Sequence, residues 1–444
     1  NVCPFSSLLI VTDNLINRIS YHHNYKWNTW EIMIDEYQDT NIPQKRLIDL
    51  MADTDDISLM AVGDDNQSIY AFRGANYQNI LLFGETYPNA KLIKLEQNYR
   101  SSKNILNFVN GISDNIALGY KKELFCEDQT KSLKPEVIRF IDEEQEAEFI
   151  AGKIVKSYGR LKYQDFAILC RSSFHSNSIQ LELLKRNIPF VVYGGIKFIE
   201  KRHIKDIIAY FKVMWNPLDM ISWNRILTLL NGVGKVTAQK TIQVLRETQG
   251  NLDLALNSNI IKRNEAIYQL FEMIRNALNF SNLIESFSVI EAYYVEILKK
   301  LEDDWKNRIE DFKVIRRLCS EYKNIEDFLS NLALDPPSNT KAIYEDSDKL
   351  DDAVTISTIH SAKGLEWNTV FIISLIDGAV PHYRSFNDYE KLEEERKLFY
   401  VACSRAKENL YLTAPSYYNT YAAYFDKISR FITEVDKNKY VVKE

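Results

Sequence analysis

Ile32-Met33-Ile34-Asp35-Glu36-Tyr37-Gln38-Asp39-Thr40 is the stretch whose reading decides the fold. A short apolar run opened by Glu31 passes directly into acids and amides. A strand buried on both faces reads as such a run, and α/β sheets place their ligands at the carboxyl ends of strands. Such a short apolar run recurs at Leu59-Met60-Ala61-Val62, Lys91-Leu92-Ile93-Lys94-Leu95 and Phe166-Ala167-Ile168-Leu169. It returns at Val354-Thr355-Ile356-Ser357-Thr358, Thr369-Val370-Phe371-Ile372-Ile373 and Asn409-Leu410-Tyr411-Leu412. A turn and then a helical pattern follow each run, which predicts α/β sheets with right-handed crossovers. From about Lys201 to Ser347 helical periodicity dominates, as in Ile204 to Phe211, and strand signals nearly vanish. Asp335-Pro336-Pro337-Ser338-Asn339-Thr340 reads as a loop, and the acidic run Tyr344 to Asp352 as a solvated connector. Strands resume at Val354, so an all-helical domain is inserted within an α/β domain.

Bulk composition narrows the class. With 444 residues, 45% hydrophobic and 26% charged, the chain suits a globular protein of more than one domain. Ten Pro and fourteen Gly are too few for long disordered linkers. No apolar run approaches the roughly 20 residues that cross a bilayer, so no membrane partner is expected. The five cysteines lack a CxxC pair and read as reduced thiols of a cytoplasmic protein. A net charge of −6 argues against a simple nucleic-acid coat, yet leaves room for basic groups lining one groove.

Chemistry concentrates at strand ends. An apolar strand closing on Asp35-Glu36 is the Walker B arrangement: the first carboxylate suits Mg²⁺, and the second can orient and deprotonate an attacking water. Gln38-Asp39-Thr40 sets it apart from a strand that merely ends in solvated acids. In Val62-Gly63-Asp64-Asp65-Asn66-Gln67-Ser68-Ile69-Tyr70-Ala71-Phe72-Arg73-Gly74-Ala75, Gln67 lies where an amide can bond a γ-phosphate or its attacking water. Tyr70, Phe72 and Arg73 then offer stacking faces and a phosphate-neutralising cation for single-stranded nucleic acid.

With these elements the chain resembles the UvrD/Rep/PcrA family of superfamily 1 DNA helicases, whose remaining motifs follow in family order. Leu95-Glu96-Gln97-Asn98-Tyr99-Arg100-Ser101-Ser102 is similar to the motif that opens the second motor domain. The resemblance implies that Tyr99 stacks on adenine and Arg100 reaches the γ-phosphate. Thr358-Ile359-His360-Ser361-Ala362-Lys363-Gly364-Leu365-Glu366-Trp367 matches the fifth motif, with Thr358 and His360 toward DNA and Glu366 toward the ribose. Glu394 to Ala406 matches the sixth, where Arg405 resembles the arginine finger. Tyr193 to Phe198, followed by Glu200 and Lys205-Asp206, resembles the segment before the inserted domain. Gly232-Val233-Gly234-Lys235 resembles a helix–hairpin–helix turn whose backbone N–H groups would hold duplex phosphates.

The resemblance implies two RecA-like parallel-sheet motor domains, the first incomplete, with the helical domain inserted in the second. Residues 1–20 would end a helical insertion of the first motor domain, and 21–96 would be its C-terminal part. Residues 97–200 and 348–444 would form the second motor domain around the insertion at 201–347. Implied too are ATP and Mg²⁺, the latter on Asp35, and 3′-to-5′ movement on single strands and single-strand/duplex junctions. Repair or replication proteins are the expected partners. The family's first motif, a Gly-rich loop ending in Gly-Lys-Thr, is not found in these residues, so the 444-residue chain alone is expected to hydrolyse no ATP. Ala71 stands where Arg is frequent and Phe72 where Trp is common, which removes one phosphate contact and keeps a stacking face. Two other readings compete: the helicase part of an AddA/RecB-type helicase–nuclease, and a non-hydrolysing DNA-binding module.

Overall fold

The computed structural model describes residues 31–52, 58–117, 119–127, 132–194, 198–333, 352–419, 423–425 and 427–443. Expectations for 1–20, for Gly195 to Lys197 and for most of the 335–352 connector therefore lie outside the described residues. Its principal strands are β1 (Glu31–Ile34), β2 (Ser58–Ala61), β3 (Glu136–Phe140), β4 (Phe166–Cys170), β5 (Phe190–Tyr193), β6 (Val354–Thr358), β7 (Trp367–Ile372), β8 (Ala406–Pro415) and β9 (Val441–Lys443). The chain divides into two compact units, residues 1–146, 164–171 and 356–444 in one, and 147–163 and 172–355 in the other.

In the first unit β1 and β2 pair in parallel, Glu31 opposite Ser58 and Ile34 opposite Ala61. Strands of the large sheet run in the order β9-β3-β8-β7-β4-β6, and the β9–β3, β3–β8, β8–β7 and β7–β4 pairs are parallel. The near-continuous apolar runs are the cause: β4 is buried at every position, as a strand covered on both faces must be. The helices Lys103–Ser113 and Tyr389–Cys403 pack on this sheet, and Phe108, Val137, Leu169, Val370 and Phe399 share one core. Ile69 enters that same core and anchors the segment that carries Gln67 and Tyr70.

The second unit is helical from Arg202 to Ala333 among the described residues, as its periodicity predicted. Caps set its boundaries: Asn264 accepts from Ile267 N–H at 3.2 Å and Asn282 from Glu285 N–H at 2.8 Å, satisfying otherwise orphaned donors. The aromatic core includes Trp223 stacked on Phe271, with ring centroids 4.8 Å apart.

One expected strand does not form. Lys91 to Leu95 is irregular, with Leu92, Ile93 and Leu95 exposed. A short apolar run becomes a strand only by pairing, and the bridge recorded next to it is Gln97 to Phe125.

Glu146, in the helix Glu143–Ser157, is buried under the large sheet. Burial pushes its carboxyl up to about 7, against the hydrogen bonds it accepts from Thr413 Oγ1 at 2.5 Å and Ser374 N–H at 3.1 Å. Its folded value lies above the ordinary 4.5, so its contribution to stability is complete below about pH 4.5 and is lost as pH rises through about 7. Glu146→Gln is expected to flatten the fall in unfolding midpoint between pH 4.5 and 7 relative to wild type; parallel curves for the two proteins would contradict this account.

Candidate functional site

Asp35 and Glu36 stand exposed where β1 ends. Glu36 has φ 50° and ψ 40°, the left-handed region that costs a non-glycine residue about 1–3 kcal/mol and collects at functional sites. Its N–H donates to Asp35 Oδ1 at 2.8 Å, and its carboxylate accepts from the Gln38 side-chain amide. Gln38 in turn accepts from Asp64 N–H at 3.1 Å, which ties the β1 turn to the Gln67 turn.

Gln67 closes the 3-10 turn Asp65–Gln67, capped by the Asp64 carboxylate. Its Nε2 donates to Asp64 Oδ2 at 2.8 Å, while its Oε1 accepts from Arg405 Nη2 at 3.4 Å. Arg405 follows the helix Tyr389–Cys403 and is 2% exposed. Burial, then the neighbouring Arg100 guanidinium, draws its value down to about 10, so it stays charged near neutrality. It donates to Val401 O at 3.1 Å, Ser404 Oγ at 2.8 Å and Leu365 O at 3.3 Å.

Arg100 Nε donates to Glu366 Oε2 at 2.5 Å, and Lys407 pairs with Glu366 Oε1 at 2.8 Å. Hydrogen bonds from Lys407 and Arg100 hold the Glu366 carboxyl down to about 2. Tyr99, next to Arg100 in sequence, is 87% exposed, which leaves its ring open to stacking. Glu36, Gln67, Arg100, Arg405, Glu366 and Asp35 thus belong to one unit, with Gln67–Arg405 and Arg100–Glu366 in direct contact.

The expected strand-binding residues also meet. Tyr70 OH donates to His360 O at 3.0 Å, and the Phe72 ring stands edge-on to His360 with centroids 5.2 Å apart. Phe72 is 63% exposed. Arg73 ends the 3-10 turn Ala71–Arg73, closed by Gly74 at φ 87°. Thr358 Oγ1 donates to Ser361 Oγ at 3.0 Å and so shapes the turn that presents His360. Gly232 and Gly234 belong to the other unit. Gly232 takes φ 79°, a conformation suited to glycine, and Gly234 caps the exposed N-terminus of the helix Lys235–Glu247.

Lys363, a residue of the fifth motif to which the sequence assigns no role, is the contact on which the arrangement turns. Its Nζ donates to Asp39 Oδ2 at 2.5 Å and Gln67 O at 2.9 Å, and lies 3.4 Å from Glu36 Oε2. It also sits over the Tyr70 ring, 5.2 Å from the centroid. A lysine inside a polar turn carries no sequence mark of such a reach.

The donor set suits a nucleotide with its cation. Arg100, Arg405 and Gln67 offer charge and amide to phosphate oxygens. Among the described residues no group of His, Cys, Asp and Glu large enough to hold a metal alone is gathered. Mg²⁺ needs fewer protein ligands, commonly one or two carboxylates beside substrate phosphates, which Asp35 at an open strand end can supply.

The family described as UvrD-like helicase C-terminal domain matches residues 93–419, and UvrD/REP helicase N-terminal domain matches residues 1–88. ATP-dependent DNA helicase PcrA of Bacillus subtilis is 35% identical over 457 aligned residues, 97% of this chain and 61% of its own length. The ATP-dependent DNA helicases PcrA of Staphylococcus epidermidis and Staphylococcus aureus are 34% identical over 433 residues, 92% of this chain and 58% of theirs. The chain therefore spans less than two thirds of the length of these relatives. No helix among the described residues is long and apolar enough to cross a membrane.

Replacing Lys363 leaves Asp39 without its cation in a site where burial already pushes the Asp39 carboxyl up. Lys363→Met is expected to destabilise the chain by about 1–3 kcal/mol, and adding Asp39→Asn to return part of that loss. Thermal melts of the single and double variants decide it; an unchanged midpoint for Lys363→Met would count against the contact.

Proposed function

Because the chain belongs to the UvrD-like helicase family, we propose that the full-length protein is an ATP- and Mg²⁺-dependent DNA helicase and translocase. It acts in the cytoplasm on single strands and single-strand/duplex junctions, moves 3′ to 5′, and serves repair or replication. The domain limits follow the same reading, with motor segments at 21–96, 97–200 and 348–444 and the inserted domain at 201–347.

The observation that carries it is the chain of contacts from His360 through Tyr70 and Lys363 to Glu36 and Gln67. Residues suited to a nucleic-acid strand touch the same lysine as residues suited to ATP hydrolysis. A strand seated on Phe72, Tyr70, Arg73 and His360 would therefore bear on the geometry of Glu36. In this scheme Asp35 would hold Mg²⁺, which would supply charge neutralisation to the phosphates. Glu36 takes the proton of the attacking water, the Gln67 amide orients that water, and Arg100 and Arg405 meet the charge that develops on the γ-phosphate. Tyr99 stacks on adenine and Glu366 accepts from the ribose. Thr358 supports His360 at the strand, while Gly232 and Gly234 let duplex phosphates approach the N–H groups at the start of the helix Lys235–Glu247.

Lacking a Gly-Lys-Thr loop in its sequence, the 444-residue chain by itself behaves as a DNA-binding module with little turnover. ATP hydrolysis with and without single-stranded DNA, on this chain and on a version extended upstream through such a loop, tests the scheme. Turnover by the extended protein only is the expected result; equal turnover by both would refute this account of the site. In the extended protein, Arg405→Ala is expected to lower DNA-stimulated kcat by about 10³-fold or more. Phe72→Ala should weaken single-strand binding by about 1–3 kcal/mol, read by fluorescence anisotropy.

A further inference from the structure

The carboxylates of Asp64 and Asp65 stand side by side, and Asp65 is 2% exposed. Adjacent acids so placed need a cation, and it comes from beyond the helix Lys103–Ser113. Lys122 Nζ is bonded to Asp64 Oδ1 and lies 3.4 Å from Asp65 Oδ1. In the same segment Tyr120 N–H donates to Asp65 Oδ2 at 3.1 Å, and a Cβ on Gly119 would run into that oxygen. The segment therefore meets the acids with its backbone as well as with its lysine. Lys397 faces them from the helix Tyr389–Cys403, but it is spread over the Tyr77 ring at 4.5 Å, and burial lowers its own affinity for the proton.

The geometry points to Lys122 as a positioning residue that, through the Asp64 carboxylate, fixes the side-chain amide of Gln67. This rests on the role proposed above for Gln67. Asp64 Oδ2 accepts from Gln67 Nε2 at 2.8 Å, so the amide is turned with Oε1 toward Arg405 at 3.4 Å. An amide has two orientations of similar shape, and only its partners choose between them. Asp64 Oδ1 already accepts from Asn66 N–H at 3.0 Å, which leaves Oδ2 to Gln67 only while the carboxylate keeps this orientation. Without Lys122 the paired acids repel, and the Asp64 carboxylate turns toward water. Gln67 then loses the acceptor that sets it.

The test uses the full-length protein with Lys122→Met, Lys122→Arg, Gln67→Ala and the Lys122→Met/Gln67→Ala double variant. Lys122→Met is expected to lower DNA-stimulated kcat by about 10- to 100-fold with KM for ATP held within about twofold, and Lys122→Arg to recover most of it. In the Gln67→Ala background Lys122→Met should cost nothing more, whereas a merely structural role would multiply the losses and overturn the proposal. In ¹⁵N-glutamine-labelled protein, the Gln67 side-chain resonance (identified by its absence in Gln67→Ala) should move in Lys122→Met and stay in Lys122→Arg. An unmoved resonance would also overturn it. Wild-type protein without ATP turnover would overturn the helicase reading instead, and the resonance would still decide whether Lys122 positions the amide. If Lys122→Met does not fold, Asp64→Ala, which removes the acceptor of Gln67 Nε2 outright, takes its place: kcat should fall by a similar factor, nothing further should be lost in the Gln67→Ala background, and the Gln67 resonance should move.

Discussion

The side chain of Lys363 is 7% exposed, and a charge so far from water is tolerated only with its partners complete. Those partners are the Asp39 carboxylate, the Gln67 carbonyl, the Glu36 carboxylate and the face of Tyr70. Asp39 is 324 positions away in sequence and Gln67 is 296. The turn after β1, the Gln67 turn and the turn after β6 must therefore converge on one point. Arg405 imposes the same condition nearby, since its buried guanidinium is met by Val401 O, Ser404 Oγ, Leu365 O and Gln67 Oε1.

Charge and exposure divide the site in a physically sensible way. Cations that must hold fixed positions are buried or paired: Lys363 and Arg405 by many partners, and Arg100 by Glu366. The side chains of Tyr99 and Phe72 face solvent, which leaves a π face open on each. Glu36 is exposed as well, but its left-handed backbone and its link to Gln38 restrict where its carboxylate points. Pre-set polar groups beside open apolar surfaces need little rearrangement when a ligand arrives.

The helical unit follows a different logic. Its interior holds acids that are satisfied internally: Asp206 accepts from Arg225 at 2.6 Å and from Tyr294 OH at 2.5 Å. Asp311 gathers Asn177, Lys201 and His203, and although burial pushes its carboxyl up, the His203 and Lys201 contacts bring it below the ordinary range. Met partners leave these acids as interior struts of a helix bundle.

Much was legible in the residues alone. β1 was readable to the residue because an apolar run ends abruptly in acids; β4, β6 and β7 were found within about two residues of their limits from their apolar runs, whereas of β8 only the central Asn409 to Leu412 was read. The helical stretch after Lys201 was readable from its period, and the family from motifs in order. The run Lys91 to Leu95 misled, because its apolar residues promised a strand that pairing did not supply. Tertiary structure alone decided that Tyr70 meets His360, that Glu366 is neutralised by Arg100 and Lys407, and that Lys363 and Lys122 bind acids hundreds or tens of positions away. Local sequence encodes the period of burial and the chemistry at strand ends, whereas the partner of a charged side chain is chosen by which turns the folded sheet brings together.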